Sequence, residues 1–195
     1  PKGVERILIA LSQEYSLNVE IIVSDDSSDD KVRDICSFYK DAFHSFIYKR
    51  NNPSLGAVNN WNSLLDKAQG DYCLLLHHDE FPLSANFIGK VTGTLSVNAA
   101  IDVLIMDCVL VDINTGFSRQ HAPSWLRNLS AKYFPEYLFR RNIIGPVSTL
   151  IVRRSIFPRF NEKLQWLVDV ELYVRLFTQS ITIKTAANIQ IGSAP

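Results

Sequence analysis

Along the chain, apolar positions switch between two spacings. Val4, Ile7, Leu8 and Leu11 recur at helical intervals and predict a helix over 4–14. NVEIIVS (18–24) is short and rich in β-branched side chains, which predicts a buried strand. The polar DDSSDD (25–30) predicts a turn, and Ser27 with Asp30 three residues on predicts a capping box. Val32, Ile35, Cys36 and Tyr39 mark a second helix, and HSFIYKR (44–50) a second strand. After the loop NNPSLG (51–56), a stripe of Ala57, Val58, Trp61, Leu64, Leu65 and Ala68 predicts a third helix closed by Gly70. DYCLLL (71–76) is a continuous apolar run, the kind of strand covered on both faces. A helix is predicted over 84–97 and a strand or strand pair over 101–111.

The second half is less regular. Residues 119–142 are aromatic and basic without a single period, which predicts a loop with short helices. A Gly-Pro turn and a strand follow within 143–155. Trp166, Leu167, Val170, Tyr173, Val174 and Phe177 predict a helix over 165–178, and alternation over 181–191 predicts a terminal strand. Helix and strand alternating at short spacing argue for an α/β fold, a mostly parallel sheet flanked by helices. No repeat or linker divides the chain, so one domain is expected over 1–195.

In such sheets ligands bind beyond the carboxyl ends of the strands. Two acidic clusters fall there: Asp25-Asp26 after the first strand, and Asp79-Glu80 after the apolar run of the third. Adjacent carboxylates repel, and a hard cation offsets that repulsion. Mg²⁺ or Mn²⁺ takes one or two protein carboxylates and completes its shell with waters and substrate phosphates. A solvated acidic loop is the competing reading of Asp79-Glu80 taken by itself. Asp25 and Asp26 can accept hydrogen bonds from ribose hydroxyls or a nucleobase N–H, or simply favour the positive end of the next helix. His77 reads first as structural, His78 as exposed and Trp61 as core. Arg153 and Arg154 read either as a grip on diphosphate or as a solvated strand end.

Composition adds exclusions. With 195 residues, 47% of them hydrophobic, the chain can bury a sizeable core. Lys and Arg number 20 against 20 Asp and Glu, so no basic excess argues for nucleic acid. No apolar run approaches the ~18 residues of a spanning helix. Cys36, Cys73 and Cys108 fit no metal-binding spacing and read as reduced, buried thiols. With no targeting segment visible, a cytoplasmic location is expected.

VEIIVSDDSSDD, NNPSLGAVNNWNSLLDKAQGDYCLLLHHDE, IIGPVSTLIVRRS and LQWLVDVELYVRL, in that order, resemble family-2 nucleotide-sugar glycosyltransferases of the GT-A (Rossmann-like) fold. The likeness is strongest to bacterial enzymes of O-antigen, capsule and exopolysaccharide assembly, and it runs over residues 4–178. The four segments are specific jointly, not singly. The resemblance implies a metal-dependent hexosyltransferase that moves a sugar from a nucleoside-diphosphate-sugar to a hydroxyl of a polysaccharide or lipid-linked oligosaccharide. Displacement would be direct, with inversion. It implies a nucleotide-binding half over 1–111 and an acceptor-side half over 112–195. Asp26, with Asp25 beside it, matches the strand-end acid that contacts the nucleoside. Asp79 and Glu80 match the Asp-x-Asp-type pair, with Glu80 ligating the metal (Mn²⁺ or Mg²⁺) and Asp79 nearer the ribose. Asp169 matches the catalytic base. Lipid-linked acceptors imply placement at the inner face of the cell membrane and peripheral association with it.

The chemistry agrees with these residue types. A diphosphate leaving group needs a cation, and a weakly nucleophilic hydroxyl needs a carboxylate to take its proton. Asp169 has a plainer reading, as one more charge beside the Glu171–Arg175 i,i+4 pair, although Leu172 and Tyr173 put it at the border of an apolar face. The sequence departs from the family in three ways. The resemblance implies an apolar first strand ahead of residue 1, which the sequence does not contain. The acidic pair ends in Glu80 and has no acid at His77, and Val168 stands where an acid is common. These departures motivate a rival, a catalytically weak GT-A-like module that binds a nucleotide or a partner. A Rossmann oxidoreductase is disfavoured, because SDDSSDD stands where glycines should cradle a pyrophosphate. A metal-assisted hydrolase needs an activated water instead of an acceptor.

Overall fold

The computed structural model describes residues 1–14, 16–112 and 114–194. Helix α1 (Lys2–Ser12) leads into strand β1 (Glu20–Asp25), helix α2 (Lys31–Tyr39) and strand β2 (Ser45–Arg50). Helix α3 (Ala57–Lys67) and strand β3 (Tyr72–Leu74) follow, then β4 (Glu80–Pro82), α4 (Phe87–Val97) and β5 (Val103–Val111). The second half runs β6 (Ser118–Gln120), α5 (Ser124–Tyr133), β7 (Leu150–Arg153), α6 (Val168–Phe177) and β8 (Ile183–Ser193). A 3-10 helix, Pro135–Phe139, follows α5, and another, Val147–Thr149, leads into β7.

Strands β1 and β2 pair in parallel, with Asp25 beside Arg50, so their carboxyl ends share one rim. A six-stranded sheet runs β3-β7-β5-β8-β4, with β6 on β5. The expected α/β layering stands, with mixed strand directions. β5 and β8 are parallel, whereas β3–β7, β5–β7, β4–β8 and β5–β6 are antiparallel. The β5–β6 connection is too short for a parallel crossover, which needs a dozen residues or more.

β5 is the centre of the core, and its apolar run works as the continuous pattern requires. Val103 and Ile105 pack into one layer with Val168, Val170, Leu172, Tyr173 and Leu176 of α6. Leu104 and Met106 pack into the other with Phe87 and Ile88 of α4 and Leu11 of α1. A third cluster seats α1 and α2 on β1 and β2 through Leu8, Val32 and Cys36.

Several local expectations are corrected. Ser27 and Asp30 form no capping box: Asp30 precedes α2 without a side-chain cap, and the Ser27 hydroxyl donates to the Asp29 carbonyl at 3.3 Å. Gly70 does not cap α3, which ends with Ala68 in an extended conformation. The Gly70 N–H instead donates to Glu20 Oε1 at 2.7 Å, beside that of Gln69 at 2.6 Å, which ties the start of β1 to the approach to β3. The stripe assigned to 165–178 begins too early. Leu167 adopts a left-handed conformation (φ 56°), α6 starts at Val168, and Trp166 stands 85% exposed.

Candidate active site

Asp25 closes β1 and turns inward. Its Oδ1 accepts from the Ser27 N–H at 2.9 Å and its Oδ2 from the Tyr48 hydroxyl at 2.8 Å, with Arg50 Nε 3.8 Å away. Asp26 is the next residue and faces the rim. Its Oδ1 accepts from Asn51 Nδ2 at 2.8 Å and the Leu55 N–H at 3.2 Å. Its Oδ2 accepts from the Ser54 hydroxyl at 3.1 Å and the Gly56 N–H at 2.8 Å. Burial opposes its ionisation, but these donors prevail and hold Asp26 below the usual aspartate range. The carboxylate therefore fixes the 51–56 loop and the entry to α3, where Gly56 supplies a positive φ of 76°. Both acids share the expected rim, and both spend their oxygens inside the chain.

The other acidic cluster lies beyond β3. Glu80 opens β4 instead of ending a loop, and pairing with Ser193 of β8 buries it to 2% exposure. Its Oε2 accepts from the His77 N–H at 2.9 Å, and its Oε1 lies 3.3 Å from His77 Nδ1. Asp79 is held by its backbone, whose carbonyl accepts from the Ala194 N–H at 3.0 Å. Burial raises Glu80, yet His77, through its ring and its backbone N–H, overrides that and holds the carboxyl low. Burial would likewise lower His77; the hydrogen bond and charge of Glu80, then Asp79 and Asp169, reverse the sign and raise it. The imidazole stacks on Trp61 of α3, ring centres 4.6 Å apart, which fixes its plane. His77 thus packs against Trp61 and pairs with Glu80 inside the cluster, while His78 is exposed as expected.

Asp169 reaches the same place from the opposite half of the chain. It sits in the first turn of α6, close enough to His77 and Glu80 for both charges to bear on it. Burial comes first among the influences and drives its carboxyl above the ordinary aspartate range. The Val170 N–H and the His77 charge pull it down, and Glu80 pushes it further up. Asn142 Nδ2 donates to Asp169 Oδ2 at 2.9 Å. Asn142 is itself locked by a reciprocal pair with Gly145: Gly145 N–H to Oδ1 at 3.0 Å, and Nδ2 to the Gly145 carbonyl at 3.0 Å. Gly145 has φ 103°, and a Cβ there would stand 3.3 Å from Cys108 and Thr149. The sequence reading missed Asn142, since a single amide before a Gly-Pro turn carries no period.

Arg153 and Arg154 do not reach this rim. Arg153 donates to Asp102, the Tyr72 hydroxyl and the carbonyls of Ala99 and Ile101, and Arg154 to the Gly70 carbonyl, all around the start of β3.

A divalent cation fits the donor set here. One ligand atom each from His77, Asp79 and Glu80 lie within 4.8 Å of one another, and the buried His77 Nε2 has no hydrogen-bond partner among the described residues. Two hard carboxylates beside an imidazole suit Mn²⁺ and accept Mg²⁺.

Residues 2–160 match the family described as Glycosyl transferase family 2, and the chain belongs to it. Over 160 residues, 73% of this chain and 46% of the relative, it is 28% identical to the abequosyltransferase RfbV of Salmonella typhimurium (strain LT2). It is 42% identical over 82 residues to WfaP of Escherichia coli, described as a UDP-Glc:alpha-D-GlcNAc-diphosphoundecaprenol beta-1,3-glucosyltransferase, covering 42% of this chain and 32% of that one. The chain therefore spans less than half the length of either curated relative. Its fold is that of the S. aureus TarS 1–349 structure, with a TM-score of 0.76 at 15% identity, covering 99% of this chain and 57% of TarS 1–349. The same protein in complex with UDP gives a TM-score of 0.76 at 16% identity, covering 100% and 58%. The α/β architecture is the GT-A fold.

Proposed function

We propose that the chain carries the donor-binding and catalytic centre of an inverting glycosyltransferase of bacterial surface-polysaccharide assembly. The observation that carries this reading is the meeting of Asp169, from the second half, with the His77–Asp79–Glu80 cluster, from the first. Such a pairing supplies a base on one side of a reacting carbon and an anion-stabilising centre on the other. The names of the relatives support the donor class: WfaP uses UDP-Glc, and TarS was solved with UDP and with UDP-GlcNAc.

In this reading residues 1–111 form the nucleotide half and 112–195 the acceptor half. Asp26, backed by Asp25, walls the nucleoside, and Asp79 lies nearer the ribose. Asp79 and Glu80 would hold Mn²⁺ or Mg²⁺, which when bound would neutralise charge on the diphosphate, with His77 keeping Glu80 ionised beside them. Asp169 takes the proton of the acceptor hydroxyl as its oxygen attacks the anomeric carbon. The bond to the diphosphate oxygen breaks on the opposite face, so the configuration inverts. A retaining double displacement would require a carboxylate nucleophile as well. The acceptor is a hydroxyl of a carbohydrate or of a lipid-linked oligosaccharide; the name of WfaP gives a diphosphoundecaprenol-linked GlcNAc. The chain would work at the inner face of the cell membrane; among the described residues no helix is long and apolar enough to cross one.

One observation favours the rival, a GT-A-like module that binds without turnover. Asp25 and Asp26 already accept hydrogen bonds from within the chain on every carboxylate oxygen. Calorimetry of UDP and GDP with Mn²⁺, with Mg²⁺ and with chelator, on the protein and on Asp79→Asn/Glu80→Gln, tests the donor site. Metal-dependent binding lost in the variant supports it. Equal binding with chelator would remove the metal from the account.

A further inference from the structure

Helix α5 is built inside out. Its inward residues are Arg127, Ser130 and Ala131, all buried, and Arg127 is completely so. Arg127 donates to the Met106 carbonyl at 2.6 Å, to the Ala122 carbonyl at 3.0 Å and to Asp107. Asp107 also accepts from Ser124 at 2.9 Å and Gln120 at 2.8 Å. The polar face of the helix is therefore consumed in anchoring it to β5. Its outward face is apolar: Trp125, Leu129 and Tyr133 follow one another at i, i+4 and i+8, and Trp125 and Tyr133 are each 67% exposed. Phe134, between α5 and the 3-10 segment, and Tyr137 and Phe139 within that segment continue the surface, all exposed. A water-facing helix normally has the reverse pattern.

The same stretch of chain carries exposed cations. Lys132, Arg140 and Arg141 are exposed, against one exposed acid, Glu136. No ion pair engages any of the three among the described residues. Between α5 and the 3-10 segment lies a cleft of about 440 Å³, lined largely by apolar side chains, with Glu136 and Arg140 as its charged lining residues. Its inner wall includes Ile143, the neighbour of Asn142, which holds Asp169.

We propose that this face docks the protein on an anionic lipid bilayer, with Trp125, Tyr133, Phe134 and Tyr137 in the headgroup layer and Lys132, Arg140 and Arg141 against lipid phosphates. Aromatic rings with a polar edge favour that depth, and the cations complement the negative surface of such a leaflet. The charge pattern selects this occupant, because three unpaired cations in the same stretch as an aromatic stripe have no counterpart in a purely apolar interface. The assignment deepens the reading of a lipid-linked acceptor and rests on it for the docked orientation. It turns toward the lipid the cleft walled by Ile143, whose chain neighbour Asn142 donates to Asp169.

Co-sedimentation with phosphatidylglycerol and with phosphatidylcholine vesicles tests it, using the protein, Trp125→Ser/Tyr133→Ser, and Lys132→Gln/Arg140→Gln/Arg141→Gln. All five positions are exposed, and UDP binding with Mn²⁺ with unchanged far-UV circular dichroism confirms that each variant is folded. The protein should bind phosphatidylglycerol vesicles in a salt-sensitive way. The cation variant should bind of order 100-fold more weakly, and the aromatic variant roughly 10-fold or more so. Absence of vesicle binding by the unaltered protein, or equal binding by the variants, would overturn the proposal. So would self-association that the aromatic variant abolishes without any vesicle binding. Loss of UDP binding in every protein would instead count against the donor site.

Discussion

Asn142 holds Asp169 with a 2.9 Å hydrogen bond while clasping Gly145 through both ends of its own amide. An N–H donor favours the ionised carboxylate, and burial opposes it. Asn142 therefore orients the group proposed to take the acceptor proton and favours its ionised form against the dominant effect of burial. Asn142→Ala should lower kcat by roughly 10- to 100-fold with UDP affinity little changed. The sign for pH follows from the charge. A base works only when ionised, so raising Asp169 further moves the acid limb of kcat/KM to higher pH. In the unaltered protein that limb should already lie above the ordinary aspartate value of 3.8, because Asp169 is raised. A pH–rate profile of the two proteins checks both statements.

Glu80 and His77 hold one another's charge states, the carboxyl low and the imidazole high. Glu80→Gln should remove metal-dependent nucleotide binding and let the His77 imidazole titrate at lower pH. Imidazole NMR resonances followed through pH report the second effect without any nucleotide or metal. An unmoved His77 titration would separate the two residues.

Asp25 is a structural acid in this geometry as well as a rim residue. Tyr48→Phe removes one hydrogen bond and should cost about 1 kcal/mol. Asp25→Ala should cost more, about 2–3 kcal/mol, since it leaves the Tyr48 hydroxyl and the Ser27 N–H without their acceptor. Urea denaturation of the two variants gives the ordering directly, and an equal or reversed ordering contradicts it.

Burial pushes the Cys36 and Cys108 thiols up from 9.0 to about 11. Only the thiolate reacts, so neither should alkylate in the native protein at pH 8, as mass spectrometry after iodoacetamide treatment would show. A raised acid keeps its proton longer in the folded state than in the unfolded one. Its stabilising effect is full below the unfolded value and fades as pH climbs through 9.0 towards about 11.

The strands and helices of the first half were legible because their cores are one-sided stripes or continuous runs. Val58, Trp61, Leu64 and Leu65 do face the core from α3, and the β5 run is buried on both faces. Where the reading failed, local chemistry had two uses. Ser27 and Gly70 carry capping signals but spend their groups on Asp29 and Glu20. Trp166 and Leu167 fit the helical stripe, yet the left-handed turn at Leu167 puts both outside the helix. The acids at the rim were found because they are adjacent and follow strands. Asn142 was not, since its importance comes from a partner 27 residues away. The aromatic-basic segment 119–142 had no single period because α5 answers to a buried ion pair inside and an apolar surface outside.

In the proposed division of labour, Asp169 acts on the acceptor while the acidic cluster binds the donor. Asp169→Asn, assayed for sugar transfer from a panel of UDP-sugars with Mn²⁺ and for UDP binding by calorimetry, separates the two. UDP affinity should stay within about twofold of the unaltered protein while transfer falls by roughly 10²- to 10⁴-fold. Transfer by Asp169→Asn at the unaltered rate would contradict it.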